Sequence, residues 1–212
     1  MFELRNDVVF NRALLDDRPL DSSALAVRSA LLHVFKDPGD HAVTILRDGR
    51  DVGRITVDVV AGGGPSQINL DLTSLEGADR LADRHVVRAG GVVGFHVRLG
   101  SGRYALVANP TEGTVSRAVL DSREGLPVGD LFAVTPIRPG TYRARNQHNQ
   151  TSLEFLVRMP GQGEPHSPAR ATLIEAGEQG FDPPSARILA GQSLVFLART
   201  PARLVVEPVQ AS

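Results

Sequence analysis

Two glycine-centred phrases limit what this chain can become. Residues 86–95 read VVRAGGVVGF and residues 187–196 read RILAGQSLVF. Both repeat one spacing: Val87, Gly90, Val93 and Phe95 in the first, Ile188, Gly191, Leu194 and Phe196 in the second. Glycine permits the tight turn, and the even spacing of the apolar residues that follow it turns their side chains toward one core. The pattern predicts two strands joined by a bend, written twice.

The rest of the chain has the same texture. Apolar residues come in short runs rich in Val, Ile and Leu, broken by Gly, Pro, Asp or Asn, which predicts an all-β protein. In AVTILRDGRDVGRITVDVV, residues 42–60, Asp48-Gly49 separates two such runs and predicts a β-hairpin, because both residues tolerate positive φ. SSALAVRSALLHVF, residues 22–35, fits a helical face through Ala24, Val27, Leu31 and Val34, and a strand through Leu25, Val27, Leu31 and Phe35; the strand is the expectation. AGGGPS at 61–66 and PGQGEPHSPA at 160–169 offer few apolar anchors and are expected to be linkers.

The middle of the chain opens with RHVVRAGGVVGFHVRL and closes with FAVTPIRPGTYRARNQHNQTSLEFLVRM, in which Pro139-Gly140-x-Tyr142 enters a hairpin. This resembles the cupredoxin family of β-sandwiches. GFDPPSARILAGQSLVFLARTPARLVVEPV, residues 180–209, is similar to the family's opening through Phe181, Pro183, Ile188, Gly191, Leu194 and Phe196. The same features occur in immunoglobulin-like sandwiches. The expected fold is therefore all-β with two sandwich domains, cupredoxin-like or immunoglobulin-like. The expected division is an N-terminal β segment at 1–76, a sandwich at 77–160 and a C-terminal β segment at 161–212, with residues 165–212 completing a sandwich begun at the front of the chain.

Where the family's copper ligands would fall, the resemblance implies a metal-free scaffold. A blue-copper site needs two imidazoles and a thiolate. This chain has no cysteine, and the matching positions hold Arg145 or Asn146 and Arg203 or Leu204. The lack of cysteine also excludes disulfides, thiolate nucleophiles and Cys-ligated metal sites. With a net charge of −1 at pH 7, the chain lacks the basic footprint of a nucleic-acid binder. No run of about 18 uncharged apolar residues occurs, so no transmembrane helix is expected. The first residues lack the pattern of an export signal, so a cytoplasmic location is expected, with the periplasm left open.

Catalytic constellations are not legible. GSG at 100–102 lacks the flanks of a nucleophile elbow, AGGGPS lacks the Lys-Ser/Thr of a phosphate loop, and Asp16, Asp17 and Asp21 have no identifiable partner carboxylate. His33, His41, His85, His96, His148 and His166 are expected to be solvated or hydrogen-bonded. A metal site made by His85, His96 and His148 is the sharpest alternative. Arg143 and Arg145 project from one strand face, and with Arg138 and His148 they form the candidate surface for an acidic partner. The chain is thus expected to be a non-catalytic subunit of a larger protein assembly, with no catalytic residues, metal or cofactor. The resemblance implies extrinsic association with a membrane electron-transfer or photosynthetic complex. A small-ligand or carbohydrate-binding sandwich and an enzyme with a histidine metal site are the alternatives.

Overall fold

The computed structural model describes residues 14, 18–76, 83–112, 117–162 and 170–209. Asp16, Asp17, His166 and most of the 160–169 stretch lie outside these residues. The described chain is all-β: three open sheets and one short 3-10 turn, Leu72–Glu76, with no helix long and apolar enough to cross a membrane.

In chain order the strands are β1 (Leu20–Asp21), β2 (Ser29–Phe35), β3 (Gly39–Arg47), β4 (Arg50–Val60), β5 (Gln67–Asp71), β6 (Arg84–Arg88), β7 (Gly91–His96), β8 (Tyr104–Pro110) and β9 (Leu120–Asp121). There follow β10 (Leu131–Val134), β11 (Gly140–Asn146), β12 (Ser152–Arg158), β13 (Thr172–Gly177), β14 (Gly180–Asp182), β15 (Ser185–Leu189), β16 (Leu194–Ala198) and β17 (Leu204–Pro208). One sheet has the order β6-β4-β3-β8-β9, a second β1-β17-β11-β12-β15, and a seven-stranded sheet runs β14-β13-β16-β10-β2-β7-β5.

The sequence periods explain these strands. β2 alternates strictly between buried and half-buried residues, so 22–35 follows the strand pattern, with Leu25, Val27, Leu31 and Phe35 all buried. β3 and β4 form the expected hairpin; Asp48 and Gly49 take φ of 49° and 80°, the positive pair that matches a two-residue turn to strand twist. Gly90 and Gly191, with φ of 74° and 85°, make the bends of the two phrases, and Val87, Val93, Phe95, Ile188, Leu194 and Phe196 are all buried. After Pro139-Gly140, Tyr142 donates its hydroxyl to Arg138 O at 3.1 Å and stacks on Phe155 with centroids 5.5 Å apart.

The pairing scheme is written twice. β2 lies antiparallel to β7 as β10 does to β16, and the β3–β4 hairpin corresponds to β11–β12. β5 runs parallel to β7 as β13 does to β16, and β6 parallel to β4 as β15 does to β12. β3 pairs β8 as β11 pairs β17. The halves join at β2 and β10, where Leu31 faces Phe132 and Ser29 faces Val134.

Each half also lends the other a short arm. β1, from the front of the chain, pairs β17, while β9 pairs β8. Both arms read Leu-Asp-Ser, at 20–22 and 120–122.

The strands are thus grouped otherwise than by the expected division at 76 and 160. β6, β7 and β8 pair with β2 to β5, and β13, β15, β16 and β17 pair with β10 to β12. From the front, Leu20–Asp21 pairs with β17. The reason is that each glycine phrase closes a half begun by the hairpin before it. Nor is 61–66 a loose tether: Pro65 O and Ser66 O accept Arg88 N and Val92 N at 3.0 and 2.9 Å, which fastens the crossing from β4 to β5 onto the first phrase.

Candidate functional site

The surface expected to meet a partner does not converge. Arg143 and Arg145 do share the outward face of β11 between buried Tyr142, Ala144 and Asn146. Arg143, however, is held 2.7 Å from Glu154 on β12, and Arg145 2.7 Å from Glu207 on β17. Exposed pairs of this kind contribute little stability and leave little free charge. Arg138 precedes β11 and His148 follows it, so they stand at opposite ends of a strand that rises about 3.3 Å per residue. His148 Nε2 lies 3.0 Å from Glu124 O, against the turn that follows β9.

His85 on β6, His96 on β7 and His148 after β11 belong to three sheets. Among the described residues no group of three or more His, Cys, Asp or Glu side chains is arranged to hold a metal.

A different set of residues does converge. The inward phase of β2 places His33 among core residues, between Leu31 and Phe35, and the inward phase of β3 does the same for His41. The Pro127–Asp130 turn then delivers a carboxylate to the same place. Gly129 takes φ of 96°, and the turn is tied to β16 by Gly129 N to Ala198 O at 2.8 Å and Ala198 N to Asp130 O at 2.9 Å. His33, His41 and Asp130 are 5%, 4% and 2% exposed.

His33 Nδ1 lies 2.7 Å from Asp130 Oδ2, and Val34 N donates to Asp130 Oδ1 at 3.3 Å. His41 Nδ1 lies 3.1 Å from Gly39 O. Phe35 stands between the imidazoles and meets both edge-on, at centroid distances of 4.6 Å to His33 and 5.1 Å to His41. Burial pulls the His41 pKa below the usual histidine value, an effect that its bond to the Gly39 carbonyl opposes only in part.

These groups open into a cleft of ≈ 190 Å³, with Lys36 and Asp37 at the end of β2 and Val119, Pro127 and Val128 on the other side. A hollow of ≈ 380 Å³ shares Val119, Pro127 and Val128 and reaches His148.

The repeated pairing supplies an internal comparison. Ser29 faces Val134 across the β2–β10 seam, and one further step at the opposite end sets His33 against Asp130. In the equivalent strand position, His41 sits beside Pro110 in the first half and Tyr142 beside Pro208 in the second. Ser29, Val134 and Tyr142 therefore occupy at one end of the seam the places that Asp130, His33 and His41 occupy at the other. The second mouth is lined by Pro136, Tyr142, Val206 and Pro208, with Arg18, Leu20 and Arg28. Superposing the two halves of the sequence would have exposed this substitution of titratable for core side chains. Inspecting each histidine alone does not. Among known proteins, the chain matches no family model, no curated sequence and no solved structure.

Proposed function

We propose that the chain is a non-catalytic binding module, two metal-free cupredoxin-like sandwich units fused through one sheet, which seats a small ligand in the cleft beside His33, His41 and Asp130. One observation carries this reading. A buried carboxylate and two buried imidazoles border the same space, where the opposite end of the seam has Ser29, Val134 and Tyr142. Buried titratable groups that border a cleft mark a candidate ligand site, and here two imidazoles and a carboxylate do so. Small-ligand sites combine apolar walls with fixed polar groups, and this cleft sets Val34, Phe35, Val119, Pro127 and Val128 beside His33, His41 and Asp130.

The cleft is favoured over an accessory-subunit role because the strand face expected to dock a partner already pairs Arg143 and Arg145 with its own glutamates. The test is a small-molecule screen read through the Cε1 protons of the six histidines. Binding is expected to move the His33 and His41 signals and leave the others in place. Hits that move other histidines and never these two would contradict the reading.

A further inference from the structure

The chemistry of the two imidazoles narrows what the cleft accepts. A carboxylate and a backbone carbonyl are acceptors only, so the ring nitrogen facing each must carry the proton. Asp130 Oδ2 accordingly fixes the Nδ1–H form of His33, and Gly39 O fixes the Nδ1–H form of His41. In the neutral ring the other nitrogen is then a hydrogen-bond acceptor. Among the described residues neither Nε2 has a hydrogen-bond partner, and neither is among the polar atoms sealed off without one, so both keep access to the cleft that their rings line. The remaining charges nearby are Lys36 and Asp37, of opposite sign at the rim, Asp40, paired with Arg84, and Asp130, already occupied by His33 and Val34 N. Phe35, Val119, Pro127 and Val128 supply apolar wall, and the volume far exceeds what one water needs.

From this we infer that the cleft selects a neutral ligand with hydroxyl donors on a small apolar body, a small diol being the probe, its hydroxyls donating to the imidazole acceptors. The inference rests on the cleft being the ligand seat. A carboxylate offers only lone pairs to these nitrogens and is rejected, as is a diol whose hydroxyls are methylated, because both leave buried acceptors unmatched.

The experiment titrates the full chain at pH 8 with cis-1,2-cyclohexanediol, its dimethyl ether, cyclohexanecarboxylate and Zn²⁺, following the imidazole signals and the heat of binding. The diol is expected to shift His33 and His41 and to bind at least about tenfold more tightly than the ether or the carboxylate. His41→Phe is expected to weaken it by about the same factor. Because His33→Phe strands Asp130 and risks unfolding, a second reading comes from pH. As pH falls below 6.5 and through the depressed His41 value, protonation turns its Nε2 from acceptor to donor, so diol binding weakens and carboxylate binding strengthens. The groups facing these rings are Asp130 for His33, and His33, Asp37 and Asp40 for His41. If the ether or carboxylate shifts the two histidines while the diol does not, the ligand class is overturned and the seat stands. If Zn²⁺ alone shifts both, the pair is a metal seat and the class is overturned. If no probe moves either ring, both the class and the seat are overturned.

Discussion

Asp130 Oδ2 lies 2.7 Å from His33 Nδ1, and with 2% of Asp130 exposed this contact joins the two halves of the chain at the end of their shared seam. The carboxylate also takes Val34 N, so one side chain satisfies a buried and a half-buried donor from the facing strand. Removing it leaves both without a partner. Asp130→Ala should therefore lower unfolding free energy by about 1–3 kcal/mol in urea titrations. A change within experimental error would mean that the pair neither seals the seam nor holds the imidazole.

His41 gives stability a pH dependence on the acid side. Its folded pKa lies below the ordinary value because burial disfavours the charged ring, with the Gly39 carbonyl opposing and His33, Asp37 and Asp40 adding smaller effects. The unfolded chain then binds a proton that the folded chain refuses. Stability is full above the unfolded value of 6.5 and falls as pH drops from there through the depressed folded value. His41→Gln should flatten that fall, as measured by urea midpoints between pH 8 and pH 5. An equal slope in the variant would remove His41 as its source.

The two Leu-Asp-Ser arms make matching bonds across the halves. Ser22 Oγ accepts Leu204 N at 3.0 Å, while Ser122 Oγ accepts Leu106 N at 2.9 Å and reaches Ser23 O at 3.1 Å; both serines are fully buried. Ser22→Ala and Ser122→Ala should each cost about 1–3 kcal/mol. Since the serines share no partner, the double variant should cost their sum within about 0.5 kcal/mol. Unequal losses would show that the arms are not equivalent.

Adjacent glycines in the first phrase do different jobs. Gly90 has φ of 74° and open space around an added Cβ, so Gly90→Ala should cost about 1 kcal/mol, from backbone conformation alone. At Gly91 a Cβ would stand 2.5 Å from Val87 Cγ2 and 2.7 Å from Arg88 O, against backbone that cannot give way. Gly91→Ala should be the more damaging of the two in thermal melts. The reverse order would contradict the packing described for this bend.

Strand identity was legible in the sequence because burial there follows a period of two. The Asp48-Gly49 turn, the two glycine bends and the inward set Leu25, Val27, Leu31 and Phe35 could all be read locally. Partition into halves was not, because β4–β6, β5–β7, β12–β15 and β13–β16 are parallel pairs whose partners lie far apart in sequence, and no turn signal records them. The cleft was hidden for a related reason. His33 and Asp130 stand 97 positions apart in sequence and meet only when β10 docks beside β2. His41 looked like one more surface histidine until its strand phase placed it inside.

Long-range ¹H–¹⁵N correlation of the imidazole rings at pH 8 tests the account most directly. It predicts that His33 and His41 both carry their proton on Nδ1 and show an unprotonated, acceptor-type Nε2. An Nε2–H form at either ring would contradict the cleft as two hydrogen-bond acceptors waiting for hydroxyl donors.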